Sequence, residues 1–161
     1  MPEAEAYEHG TRHAAKREEG FMYYVTLSDI ETRLGPAVLV QLTDDARVGE
    51  VNLAVVTETV DGAEGEVHSH LALRYPVPLD GIAHPDAVAL LRSIVLDLVE
   101  YRLHARRPPV PAEAVAKRAA AIAWLRGVTE GRVALPVAAD GFRAAITGSA
   151  RVLSREEMDS F

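Results

Sequence analysis

Pro85–Arg107 reads PDAVALLRSIVLDLVEYRLHARR. Leu90, Leu91, Ile94, Val95, Leu98 and Val99 take up most of a helical circumference and leave little polar face until Glu100. A helix that is apolar nearly all round is buried among other helices, so this stretch is expected to form the centre of a bundle. Pro85 suits a first helical turn, where its missing N–H is not needed. Pro108, Pro109 and Pro111 stop the helix at the far end. Asp97 falls inside the apolar band, and a buried carboxylate is costly unless paired. Arg92, Arg102 or Arg74 could pair with it, and a structural salt bridge or an exposed position is expected in place of a tuned acid.

Upstream, Tyr23–Leu27 is short and extended in character. Thr26 or Ser28 then caps a helix over Asp29–Leu34 that Gly35 ends, and Pro36 opens another to about Leu42. Thr43, Asp44 and Asp45 begin a polar loop to Gly49. Its acids lack the alternation and the distal glutamate of a calcium loop, so a solvated, capping role is expected. Between Glu50 and Leu73, Leu53, Val56, Val60, Ala63, Val67 and Leu71 recur at steps of three and four, a helical period. Gly62 and Gly65 weaken that helix by about 1 kcal/mol each relative to alanine, and they suit a close helix approach or a kink. His68 and His70 point to different faces and do not share a metal. Arg74–His84, with Pro76, Pro78 and Gly81, is a loop.

Downstream, Ala112–Arg126 is an alanine-rich helix with Val115, Ala119, Ile122 and Trp124 or Leu125 expected inward, closed by Gly127 and Gly131. Trp124 is read as a core or subunit-contact anchor. From Val133 the small residues, Pro136, Gly141 and Gly148 suggest an irregular arm. Ser154 and Glu157 have capping-box spacing, enough for one last helical turn.

The chain has 161 residues, 48% of them apolar, which allows one domain with a real core. The expected division is an N-terminal extension over residues 1–21, a helical domain over 22–132 and a C-terminal arm over 133–161. The expected fold class is all-α: a small helical bundle around one long apolar helix, with that arm extended. A formal charge of −7 and a pI near 5.3 argue against a protein that grips nucleic-acid phosphates, though not against one that lets DNA pass. Without cysteine there are no disulfides, thiolate metal sites or cysteine nucleophiles. The first twenty residues carry mixed charge and no apolar core, unlike a secretory signal. Met22 offers an internal start that would make them dispensable. The densest apolar run, Ala87–Val99, is broken by Arg92, Ser93 and Asp97, so a soluble protein made in the cytoplasm is expected.

The chemistry-bearing residues form no catalytic constellation. No phosphate-binding loop, nucleophile elbow or zinc-binding H-E-x-x-H pattern occurs, and the histidines (9, 13, 68, 70, 84 and 104) are scattered. His9 and His13 share a helical spacing but have no carboxylate or cysteine beside them to complete a metal site. No catalytic residue, metal or cofactor is expected, and the chain is read as a non-enzyme.

Several segments in order carry a family resemblance: YVTLSDIETRLG (Tyr24–Gly35), VQLTDD (Val40–Asp45), HLALRYPVPL (His70–Leu79), LDLVEYRLH (Leu96–His104) and AIAWLR (Ala121–Arg126). The L-x-x-R-Y-x-x-P-L loop, the D-x-x-x-Y-R-L helix and the closing RVLSREEM at Arg151–Met158 are the most specific parts. Together, over residues 22–161, they resemble the Mu-like family of small phage neck proteins. The resemblance implies a virion head–tail connector, or adaptor: a homo-oligomeric ring, twelve copies to match a dodecameric portal protein. Such a ring extends the DNA channel without binding DNA specifically and docks the next neck or tail protein. No catalytic residues come with it, and no role is carried onto residues 1–21. Arg151, Val152, Leu153, Arg155, Met158 and Phe161 are the candidate partner-binding residues, because a tail ending in Met and Phe buries them only against another surface. A head-closure or tail-terminator protein would be richer in strands. A prophage helix-turn-helix regulator would present a more basic recognition helix than Pro85–Arg107.

Overall fold

The computed structural model of the chain describes residues 22–137. Within them are five helices and no strand: α1 Leu27–Leu34, α2 Pro36–Thr43, α3 Leu53–Leu71, α4 Pro85–Ala105 and α5 Ala112–Thr129. The protein is therefore all-α, a small helical bundle, as its periodicities predict. Helix α4 packs against each of the other four. Its buried side is Ala87, Val88, Leu91, Ile94, Val95, Leu98, Val99 and Leu103. Leu90 departs from the expectation. It lies about 100° round the helix from Leu91 and is 37% exposed. It shares a solvent side with Ala89, Arg92 and Ser93.

The helix ends follow their chemistry. Thr26 caps α1 in a full capping box with Asp29, so α1 starts at Leu27, two residues before the expected start. Gly35 (φ 82°) ends α1 and leads into Pro36 at the first turn of α2. Asn52 accepts from the Ala54 and Val55 N–H groups, so α3 starts at Leu53 and not at Glu50. Asp44 accepts from the Val48 and Gly49 N–H groups and closes the polar loop between α2 and α3.

Helix α5 differs most from its sequence reading. Val115 is 46% exposed and Ala119 is exposed, while Ala114, Ala121, Leu125, Gly127 and Val128 are buried. The inner face is rotated by about one residue in the first half. Alanine fits either side of a helix, so the pattern holds little contrast there. Ile122 and Trp124 pack partly buried against the core. Gly127 does not end the helix. A Cβ there would stand 3.0 Å from Val133 Cγ2, so this glycine admits the returning chain. Gly131 (φ 75°) makes the turn. After it Leu135 is buried, with its N–H donating to Tyr75 Oη at 3.0 Å.

The two glycines of α3 also separate. A Cβ on Gly62 would lie 2.9 Å from Arg102 Nη1, so Gly62 makes room for the guanidinium that reaches Glu66 at 2.9 Å. Gly65 is exposed and has nothing within 4 Å of such a Cβ. The fold draws no packing benefit from it. Gly65→Ala is therefore expected to raise the unfolding free energy of the isolated chain by about 1 kcal/mol, measured by urea titration.

Candidate interaction site

Met22–Thr26 is irregular, bends at Tyr23 and Tyr24 and precedes α1, so its peptide groups need partners outside a helix. Glu64, 2% exposed on α3, supplies two. Its carboxylate oxygens accept from the Tyr23 N–H at 3.0 Å and the Tyr24 N–H at 2.8 Å. From α4, Arg92 Nε donates to the Tyr24 carbonyl at 3.0 Å. The Tyr24 side chain continues the chain of contacts. Its hydroxyl accepts from the Leu79 N–H at 3.1 Å and lies 3.0 Å from His68 Nε2, one turn along α3 from Glu64. With Leu79 as donor, the hydroxyl proton is free for His68 Nε2, which suits a neutral imidazole protonated on Nδ1. Tyr24 thus ties the N-terminal segment, α3, α4 and the loop after α3 into one unit.

The titration of this cluster reflects its burial. Desolvation pushes Tyr24 up to about 12, against the Leu79 N–H, which favours the phenolate. Burial likewise raises Glu64, partly offset by the Tyr24 and Tyr23 N–H groups. Burial lowers His68, which is enclosed edge-on by the Tyr23 and Tyr24 rings. A lowered histidine binds its proton more readily in the unfolded chain. Its stabilising contribution is full above the unfolded value near 6.5 and is lost as pH falls through the folded value. Between pH 7.5 and pH 5.5 the melting temperature of the wild type is expected to fall more steeply than that of His68→Gln. Parallel slopes would show that His68 does not titrate against folding.

Beside this cluster lies an open groove of about 600 Å³. Tyr23, Pro78, Leu79, Ile82, Val88 and Arg92 line it. One wall is the loop between α3 and α4, shaped by Asp80, whose side chain accepts from the Ile82 N–H at 2.8 Å and whose carbonyl accepts from the His84 N–H. Leu79 and Val88 are buried in its floor, whereas Ile82 is 93% exposed at its rim. The Leu79–Tyr24 bond holds the loop in place, so the groove is preformed.

The opposite side is stapled by charge. Arg33 of α1 bonds to Asp97 and, at 3.1 Å, to Glu100; Lys117 of α5 meets Glu100 at 3.2 Å and Glu113 at 2.8 Å. Asp97 is thus paired, though not with Arg74, Arg92 or Arg102. Arg92 faces Tyr24, Arg102 faces Glu66, and the Arg74 guanidinium lies over Gly131. Arg33 wins because α1 packs across α4. Burial still raises Asp97, with Arg33 opposing. Arg106 and Arg107 do more than complement the end of α4: both reach Asp45, and both bond carbonyls at the end of α2. These half-exposed pairs contribute little each, by the usual measure of surface ion pairs, and serve to fix orientation.

Among the described residues no group of three His, Asp or Glu is placed to hold a metal, and no buried side-chain polar atom lacks a partner. No helix there is long and apolar enough to cross a membrane. His68 and His70 face different neighbours, Tyr24 and Thr129, as their spacing requires. Arg151, Val152, Leu153, Arg155, Met158 and Phe161, the partner-binding residues expected from sequence, lie outside the described residues, as do His9 and His13. The sequence assigns no contact role to Tyr24 or Glu64 and sets Arg92 against Asp97 instead of the Tyr24 carbonyl. A signal existed for Glu64, which shares the buried stripe of Val60, Val67 and Leu71.

No curated protein matches the chain. A family model does, that of Bacteriophage Mu, Gp36, over residues 24–154. The match begins at the tyrosine that ties the fold together, runs through all five helices and continues into the C-terminal segment. The chain belongs to the bacteriophage Mu Gp36 family.

Proposed function

We propose that the protein is a structural component of the phage neck, a head–tail connector that forms a ring beneath the portal. Twelve copies match a dodecameric portal. The observation that carries this reading is membership of the phage Mu Gp36 family across nearly the whole helical body and most of the C-terminal segment. Three physical features support it. The body is a preformed helical unit cross-braced by ion pairs between α1, α4 and α5, suited to being a rigid ring subunit. The chain carries 24 acidic against 17 basic side chains, so a ring lumen of the same bias would repel phosphates and let DNA slide. The C-terminal segment supplies apolar residues that many copies can present at once, so that weak contacts add through effective concentration. The work is mechanical: docking the next neck or tail protein and guiding DNA, with no catalytic step.

A DNA-reading role fits less well. The solvent side of α4 is Ala89, Leu90 and Ser93, and its Arg92 folds back on Tyr24, which leaves no basic row for a groove. The connector reading is tested by co-sedimentation with the cognate portal protein. The intact chain is expected to travel with the portal, and a chain lacking residues 148–161 to be left behind. Equal co-sedimentation would remove the C-terminal residues from the contact; no co-sedimentation of either would overturn the connector reading.

A further inference from the structure

We propose that the groove between Tyr23, the Pro78–Ile82 turn and the first turns of α4 is the receptor for this protein's own C-terminal segment, Arg151–Phe161. The inference rests on the connector reading for its purpose, the linking of copies, and on the groove itself for its chemistry. The groove joins an apolar floor, Leu79 and Val88, to a rim where Ile82 stands 93% exposed. An exposed isoleucine on a loop fixed by the Asp80 turn and the Leu79–Tyr24 bond is a ready-made hydrophobic contact. The wall also holds one cation. Arg92 uses Nε on the Tyr24 carbonyl, with Asp29 Oδ2 at a longer 3.9 Å, and about half of its side chain remains open to solvent.

The C-terminal segment matches these features. Ser154 and Glu157 have the spacing to start a helical turn, which would set Met158 and Phe161 three apart on one face. Two large apolar groups at that spacing are the anchors of a helix laid in a groove. The flanking acids Glu156, Glu157 and Asp159 suit Arg92. Connectivity allows it as well. The Leu135 N–H donates to Tyr75 Oη, so the chain leaves the described fold beside the loop that walls the groove. Residues 138–150 span up to about 45 Å when extended, enough to reach this groove or that of an adjacent copy. Residues 1–21 are the rival occupant, but their large apolar side chains Met1, Tyr7 and Phe21 are too far apart in sequence to form such a pair.

The chain has no cysteine, so introduced pairs report cleanly. The full-length double variant Ile82→Cys/Met158→Cys is oxidised under mild conditions and run on a non-reducing gel. Two controls pair Val115→Cys with Met158→Cys and Ile82→Cys with Ala14→Cys. The 82–158 disulfide is expected to form at least tenfold faster than either control, and its gel mobility tells a link within one chain from a link between two. Ala89→Asp, an exposed change on the groove wall, is expected to slow it tenfold while leaving the helical circular dichroism unchanged. An 82–158 rate no higher than the 115–158 rate, or a faster link from Ile82 to Ala14, would overturn the assignment. A fast 82–158 link in a chain that forms no portal complex would uphold the groove and sink the connector reading, so the two fail separately.

Discussion

Glu64→Ala is expected to destabilise the fold by about 4 kcal/mol, and Glu64→Gln by about 2 kcal/mol, from the cost of orphaned buried donors. Helix propensity cannot produce these losses, since alanine is the best helix former and glutamine about equals glutamate. The losses come from the irregular segment before α1. With alanine, the Tyr23 and Tyr24 N–H groups lose the carboxylate that accepts from both. With glutamine, one oxygen still accepts, but the amide NH₂ confronts the other N–H, donor against donor. The remaining acceptor makes the glutamine loss the smaller, and an opposing effect trims both losses. Burial raises Glu64, so whatever stability it contributes through protonation is full below the unfolded value near 4.5 and lost as pH rises through the folded one. At neutral pH the wild type carries that cost, and neither variant does. Urea unfolding at pH 7.5 measures both variants. A Glu64→Gln protein as stable as the wild type would show that the two-acceptor contact does not hold the segment.

Leu98→Ala is expected to cost about 3 kcal/mol, within the range for buried leucines that leave a cavity. Leu98 is fully buried at the middle of α4, the helix that touches all four others. Leu90, on the same helix, is 37% exposed, and Leu90→Ala is expected to cost less than about 1 kcal/mol. The pair tests which way α4 faces, because a helix apolar on nearly every side reads almost the same at any rotation. Equal losses would place Leu90 in the core beside Leu98 and contradict the solvent side described for α4.

That ambiguity marks the boundary of what the sequence could convey. Helix positions were legible at Gly35, Pro36 and Pro85, which stand at true boundaries, whereas α4 stops at Ala105, short of the expected Arg107 and of Pro108, and Gly127 lies inside α5. Rotation was legible where apolar and polar residues alternate at helical spacing, as for Val56, Val60, Ala63, Val67 and Leu71 in α3, although Leu53 at the head of that stripe is 58% exposed. It was lost in α5, where alanine occupies both sides. Partners distant in sequence were not legible either. Arg33 and Asp97 lie on different helices, and only the packing of α1 across α4 selects that pair over nearer arginines. Glu64 was hidden among the other acids of its helix, and its burial makes sense only once Tyr23 and Tyr24 are seen to need acceptors. The groove has no sequence pattern at all, because it is assembled from the start of the fold, a proline-rich loop and the first turns of α4.

The proposed connector role rests on assembly, and an image reads assembly most directly. Purified protein mixed with its cognate portal and viewed by negative-stain electron microscopy should show a ring seated on the narrow end of the portal, twelvefold in class averages. Portal particles without added density, beside free single copies of a 17.4 kDa chain, would contradict it.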